Sequence, residues 1–150
     1  MIAPNFTRSL KPGYEVVFTI DDYQDGPLRG VANYQGVPHF YECIFDEKQD
    51  SYSESFLLTR LDAEVFQAAR ENWEIFLRWR EAYDRGQTGR QTHPALPAEA
   101  KKYRDTKELL DQTLASKRGS SIRARGEFEV IGEPERPRGV LSQWQVKWSV

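Results

Sequence analysis

Cysteine and histidine are scarce in this chain of 150 residues, which has one Cys and two His. Cys43 alone cannot form an intramolecular disulfide, and so few Cys and His residues cannot supply a four-ligand zinc site without carboxylates. The chain has no long apolar run, so it predicts no membrane span. The first residues also lack the basic start and apolar stretch of a secretory signal. Together with the unpaired cysteine, this predicts a cytoplasmic location.

A charge excess of one sign is absent too, because 21 Lys and Arg residues face 23 Asp and Glu residues, a net charge of −2. Such a balance gives no overall attraction to nucleic acids or to anionic membranes. Phosphate-binding glycine loops, a nucleophile elbow and the H-E-x-x-H zinc motif do not occur in the sequence. The sequence therefore predicts no cofactor and contains no recognised metal-binding motif.

What the chain does contain suits a folded protein, with 39% hydrophobic and 13% aromatic residues. A chain of this length can bury about 70% of its unfolded surface. We therefore expect residues 1–150 to form a single domain.

Periodicity divides the chain into strands and helices. Alternating apolar and polar side chains predict strands at 14–20, 29–34, 37–45, 52–58, 122–130 and 144–150. A period near 3.6 predicts a helix from the capping residue Asp62 to Gly86 and a second one over 98–117. This order, ββββ-α-α-ββ, predicts an α+β fold: an antiparallel sheet of about six strands with two helices packed on one face.

The first predicted helix carries more apolar side chains than one contact surface requires. Val65, Ala69, Trp73 and Phe76 share a face, and Ile75 and Trp79 widen the apolar arc to about 200°. Large apolar side chains of this kind are enriched at interfaces. The first hypothesis is therefore a non-catalytic binding or regulatory protein that self-associates or binds a protein partner, with Ile75 and Trp79 in an exposed patch.

A basic segment supports a second hypothesis, a nucleic-acid-associated protein. Residues 117–125 carry four cationic side chains, from Lys117, Arg118, Arg123 and Arg125, and no acidic one. Alternation, however, places Arg123 and Arg125 on the opposite face of the sheet from Trp144 and Trp148. Basic and aromatic side chains would then not share a nucleic-acid surface.

A third hypothesis is a small enzyme or a weak cation site near the turn at 21–25. Its candidate residues are Asp21, Asp22 and Asp25, with His39 and Tyr41 on the third strand. The acidic run departs from an EF-hand loop, which requires Asp or Asn at its third position and Glu at its twelfth. Cys43 is no partner for His39, because four residues of strand separate them by about 13 Å.

Several short runs resemble small bacterial proteins of uncharacterised function. They are Asp25-Gly26-Pro27, the run G-V-P-H-F-Y-E at 36–42, the helix segment from Trp73 to Trp79, and H-P-A-L-P at 93–97. The resemblance spans about residues 21–97. It implies a bacterial cytosolic setting and transfers no functional residue.

Overall fold

The computed structural model describes residues 10–132 and 139–150. These residues form seven strands: β1 (Glu15–Val16), β2 (Asp22–Tyr23), β3 (Pro27–Tyr34), β4 (Val37–Asp46), β5 (Ser51–Arg60), β6 (Ile122–Val130) and β7 (Trp144–Ser149). They also form two α-helices, α1 (Ala63–Asp84) and α2 (Ala100–Ser116). The predicted α+β class and the element order ββββ-α-α-ββ are confirmed.

The chain divides into two compact units. One unit contains the strands, from the first described residue to Leu61 and from Gly119 onward, and the other contains both helices, from Asp62 to Arg118. The single-domain organisation and the packing of the helices on one face of the sheet stay predictions.

The strands form one antiparallel sheet in the order β1-β7-β6-β5-β4-β3-β2. The last two strands join the first four, because β6 pairs with β5 through Phe56 and Ala124. The sheet also closes on itself. Glu15 and Val16 pair with β7, and the next residue, Val17, bridges to Ala32 of β3.

The first predicted strand, at 14–20, is only partly correct: within it the structure has the two-residue strand β1, and the short strand β2 follows it at Asp22–Tyr23. The backbone N–H groups of Phe18 and Thr19 both donate to the carbonyl of Val31, and the Thr19 hydroxyl accepts from the Val31 N–H. This segment changes its partner from β7 to β3, so regular alternation cannot continue through it.

Aromatic rings fill the inner face of the closed sheet. Tyr41, Phe56, Phe128 and Trp148 contact one another with ring centroids 5.1–6.3 Å apart. Trp148 lies opposite Gly126, where a Cβ would be 2.6 Å from the indole ring. Large side chains on four strands thus pack around a position that only glycine can occupy.

In the helical unit, α1 begins where predicted, because the Asp62 carboxylate caps the helix by accepting the Val65 N–H at 3.0 Å. α2 is joined to α1 by hydrogen bonds from the Asn72 amide to Tyr103 and Thr106. Neither helix formed by the described residues is long and apolar enough to span a membrane.

Candidate functional site

The predicted exposed patch at Ile75 and Trp79 is wrong. Ile75 is only 2% exposed and Trp79 5%, so they are among the most buried side chains of α1. By contrast, Trp73 and Phe76, which the sequence assigns to the buried face, are only half-buried. The buried arc of the helix is therefore rotated relative to the one that apolar periodicity indicates.

The segment after α1 explains the burial of Trp79. Its indole N–H donates to the Thr92 hydroxyl at 2.8 Å, and the His93 ring packs edge-on at a centroid distance of 4.7 Å. The sequence indicates only a polar loop at 87–97, but this loop folds back on α1 through a 3₁₀ turn at Arg90–Thr92. Trp79 is thus a structural anchor for the loop and presents no surface to a partner.

The four basic residues of the nucleic-acid hypothesis do not form one cluster in the sheet unit. Lys117 and Arg118 end the helical unit, whereas Arg123 and Arg125 lie on β6. The Arg125 guanidinium forms an ion pair with Glu54, which offsets its charge.

The expected separation of basic and aromatic residues on β6 and β7 is confirmed. Trp148 pairs with Gly126 and therefore lies on the inner face of the sheet, while Arg125 pairs with Ser149 on the other face. Trp144 is buried and Trp148 half-buried, whereas Arg125 is exposed. No stacking platform with neighbouring cations is formed by these residues.

The candidates of the enzyme hypothesis lie in different environments. Tyr41 is fully buried and donates its hydroxyl to the carbonyl of Thr19 at 2.9 Å. Burial raises the pKa of Tyr41 well above its ordinary value, and the nearby Asp21 carboxylate raises it further. Asp22 on β2 and Asp25 in the turn after it are both exposed, and Asp25 adopts a positive φ of 55°. A hydroxyl that is fully buried and bonded to a backbone carbonyl is not accessible to a substrate from solvent.

His39 and Cys43 have local structural partners. The His39 ring nitrogen Nδ1 lies 2.7 Å from the Val37 carbonyl, and the Cys43 thiol donates to the Ser53 carbonyl at 3.1 Å. Burial raises the pKa of the Cys43 thiol, which disfavours the reactive thiolate. Within the described residues, no group of three or more His, Cys, Asp or Glu side chains has a geometry that could hold a metal ion.

The feature that the sequence reasoning missed is the end of the β4–β5 hairpin, residues 43–54, which we call the hairpin tip. On one side of the hairpin, β4 pairs with β3 over residues 37–42. On the other side, β5 pairs with β6 over residues 55–58. Among the described residues, no further strand pairs with the hairpin tip. It therefore extends beyond its neighbours as a two-stranded ribbon.

A bulge in β5 sets the geometry of the hairpin tip. The register changes between Cys43, which pairs with Phe56, and Phe45, which pairs with Tyr52. Between these two pairs, the single residue Ile44 of β4 lies opposite residues 53–55 of β5. The Ser53 hydroxyl supports this irregular backbone by donating to the Ile44 carbonyl at 2.7 Å and accepting from the Ser55 N–H. Bulges of this kind bend a ribbon and redirect its side chains.

The connecting turn is also defined by hydrogen bonds. Asp46 Oδ1 accepts the backbone N–H groups of Lys48 and Gln49 at 3.0 and 3.3 Å. Asp50 supplies the left-handed residue, with φ of 51°. A side chain that bonds to the backbone two residues later is the usual way in which Asp stabilises a turn.

Beside this turn, the rings of Phe45 and Tyr52 pack edge to face, with centroids 5.1 Å apart and an interplanar angle of 87°. They remain 44% and 43% exposed. The charged side chains between the two rings are mostly acidic: Asp46, Glu47 and Asp50 against Lys48. The sequence contains a signal for this arrangement, because two aromatic residues flank a short acidic turn at the adjoining ends of two predicted strands.

Comparison of the chain with protein-family models, with curated proteins and with solved structures gives no match.

Proposed function

We propose that this chain is a non-catalytic binding protein that acts through protein–protein interaction, and that the hairpin tip is its contact element. The observation that carries the proposal is the exposed Phe45–Tyr52 pair. Both residues lie in the part of the β4–β5 hairpin that extends past its pairing with β3 and β6. Exposed aromatic side chains lose water and gain packing on association, so they often dominate the energy of an interface.

The internal contacts of the hairpin tip support the same proposal. The Asp46 turn, the bulge held by Ser53 and the edge-to-face ring pair fix the ribbon before any partner arrives. A contact element that is already ordered loses less conformational entropy on binding. The two rings also stabilise the hairpin itself, by about 0.5–1.5 kcal/mol, and this does not remove their exposed area.

The proposed setting is the bacterial cytosol. Its support is the resemblance of residues 21–97 to small bacterial proteins, together with a single cysteine that has no disulfide partner.

The proposal is tested by site-specific photo-crosslinking in the cells that naturally express the protein. A photoreactive phenylalanine replaces Phe45 in one variant and Leu57 in a control. Leu57 is similarly exposed, at 39%, and lies on β5 about 17 Å along the strand from Tyr52. We expect a protein adduct at position 45 that is absent at position 57. The same adducts at both positions, or none at position 45, would contradict the proposal.

The crosslinked protein is then purified and its affinity measured directly. The double variant Phe45→Thr/Tyr52→Thr keeps the β-propensity of the strands but removes both rings. We expect its affinity to fall roughly thirtyfold or more, as for the loss of an aromatic hot spot of about 2 kcal/mol. Leu57→Thr serves as the matched control and should bind as the native chain does.

A further inference from the structure

We propose that the hairpin tip binds a cationic segment of its partner protein, whose arginine or lysine side chains contact the Phe45 and Tyr52 rings and the surrounding carboxylates. This inference rests on the proposed function and adds the chemistry of the partner.

The charge of the hairpin tip narrows the choice of partner. Between Phe45 and Tyr52 the chain carries three acidic side chains and one basic side chain. An anionic surface, such as a nucleic acid or an acidic membrane, is repelled by this arrangement. A cationic segment gains attraction from the same carboxylates, which strengthens further as water is excluded from the contact.

The rings and the acidic groups favour the same ligand. A guanidinium or ammonium group is attracted to the face of an aromatic ring within about 6 Å of its centroid. Arg29 already contacts Phe40 in this manner elsewhere on β3 and β4, with its guanidinium carbon 5.4 Å from the ring centroid. At the hairpin tip, no Lys or Arg of the described residues lies over either exposed ring, so this position is open to a cation from a partner.

One carboxylate of the turn, that of Asp46, is held in place for such a contact. Both backbone N–H groups that bond to Asp46 use Oδ1, and Oδ2 has no hydrogen bond among the described residues. Asp50 is exposed in the left-handed conformation, and no ion pair within the described chain uses its carboxylate. Two carboxylates on an ordered turn beside two rings form a suitable surface for a planar guanidinium group.

A second copy of this chain is a poorer occupant. Two hairpin tips in a symmetric contact would bring like charges together. A tip bound to a basic region elsewhere on a second copy would be a head-to-tail contact, which generates rings or open filaments. A separate protein with a basic segment avoids both problems.

The inference is tested with amidated hexa-arginine, hexa-lysine and hexa-glutamate peptides as probes. Their binding to isotopically labelled full-length protein is followed by amide chemical shifts at low ionic strength. We expect hexa-arginine to shift the amides of residues 43–54 and to bind more tightly than hexa-lysine, because guanidinium groups stack on rings. Hexa-glutamate should not bind.

Matched variants separate a local site from an effect of net charge. Asp46→Asn/Asp50→Asn keeps the turn, since Asn accepts the same hydrogen bonds and tolerates the left-handed conformation. We expect it to weaken hexa-arginine binding about three- to tenfold. The control Glu108→Gln/Asp111→Asn removes the same charge from exposed positions of α2 and should change the affinity by less than about twofold. Phe45→Thr/Tyr52→Thr should weaken binding without changing the charge.

Two results would overturn the inference: equal losses in the turn variant and the α2 control, or shifts that lie outside the hairpin tip. Sedimentation at high concentration tests the second copy, since self-association that the ring variant abolishes would identify the chain itself as the occupant. A partner crosslinked at position 45 without hexa-arginine binding at the tip leaves the proposed function standing and removes only the cationic segment. The absence of any crosslinked partner removes the proposed function.

Discussion

At the scale of single residues, Gly30 and Tyr41 make one of the tightest contacts of the inner face. A Cβ at position 30 would lie 2.7 Å from the Tyr41 hydroxyl and even closer to the carbonyl of Thr19. The same hydroxyl and carbonyl are joined by a hydrogen bond. Only a residue without a side chain allows β3, the Thr19 carbonyl and Tyr41 to approach in this way.

We therefore expect Gly30→Ala to lower the free energy of unfolding by about 3 kcal/mol, because the backbone carbonyl cannot move away cheaply. Urea denaturation measures the change. Gly139→Ala is the control, since a Cβ there meets nothing within 4 Å, and it should stay within about 0.5 kcal/mol of the native chain. Equal stability of the two variants would show that the fold accommodates a Cβ at position 30 without strain.

Tyr14 offers a pH-dependent test at the same scale. Its hydroxyl donates to Glu129 at 2.5 Å, and mainly this hydrogen bond raises the pKa of Tyr14 to about 12. The folded state therefore holds this proton more tightly than the unfolded chain does, whose tyrosine pKa is about 10. The resulting stabilisation is complete below pH 10 and is lost as the pH rises from 10 through 12.

The measurement is the ultraviolet absorbance of phenolate as a function of pH, taken as the difference between the native chain and Tyr14→Phe. We expect this difference to titrate near pH 12 in the native chain, and Glu129→Gln to move it back toward 10. A native difference curve already centred near pH 10 would argue against the hydrogen bond.

At the scale of secondary-structure elements, the connection between the two helices is a packed segment. Thr92 accepts the indole N–H of Trp79 and donates its own hydroxyl to the Gly89 carbonyl at 2.9 Å. The rings of Tyr83 and His93 flank Trp79 on α1 and in the loop. The loop and the helix therefore stabilise each other.

We expect Thr92→Val to destabilise the fold by about 2 kcal/mol, because it leaves the largely buried Trp79 indole N–H without its acceptor. Thr92→Ser keeps the hydroxyl and should cost much less. Chemical denaturation followed by tryptophan fluorescence compares the two variants. If valine and serine give the same stability, the hydrogen bond between helix and loop contributes little.

At the scale of the whole molecule, the charge distribution gives the nucleic-acid alternative little support. The net charge is −2, and Arg125 forms an ion pair with Glu54, which lies 71 residues earlier in the chain. Lys117 and Arg118, near the end of α2, belong to the other compact unit. A few separate cations supply few phosphate contacts.

We accordingly expect no measurable binding of single-stranded DNA at physiological salt in a fluorescence anisotropy titration. Binding that weakens steeply with salt and disappears in Arg123→Ala/Arg125→Ala would favour the alternative instead. Lys147→Ala on β7, which removes one exposed cation outside the basic segment, is the control for charge alone.

The sequence predicts those structural features that depend on residues close together in the chain, and it does not predict those that depend on distant residues. The strand at Ile122–Val130 has the predicted bounds, and the helix cap at Asp62 is the predicted residue. Both depend on neighbours within a few positions. Residues 15–23 pair with both β3 and β7, and β7 is more than a hundred residues away in the chain, so this double pairing has no local signal.

The candidate site follows the same division. The sequence by itself determined the element order and the antiparallel strands. Only the tertiary structure decided that Ile75 and Trp79 are buried, that Arg125 is paired and that the hairpin tip extends beyond its neighbours. Burial and strand pairing are set by which distant segments meet, because local periodicity specifies a face of an element but not what covers it.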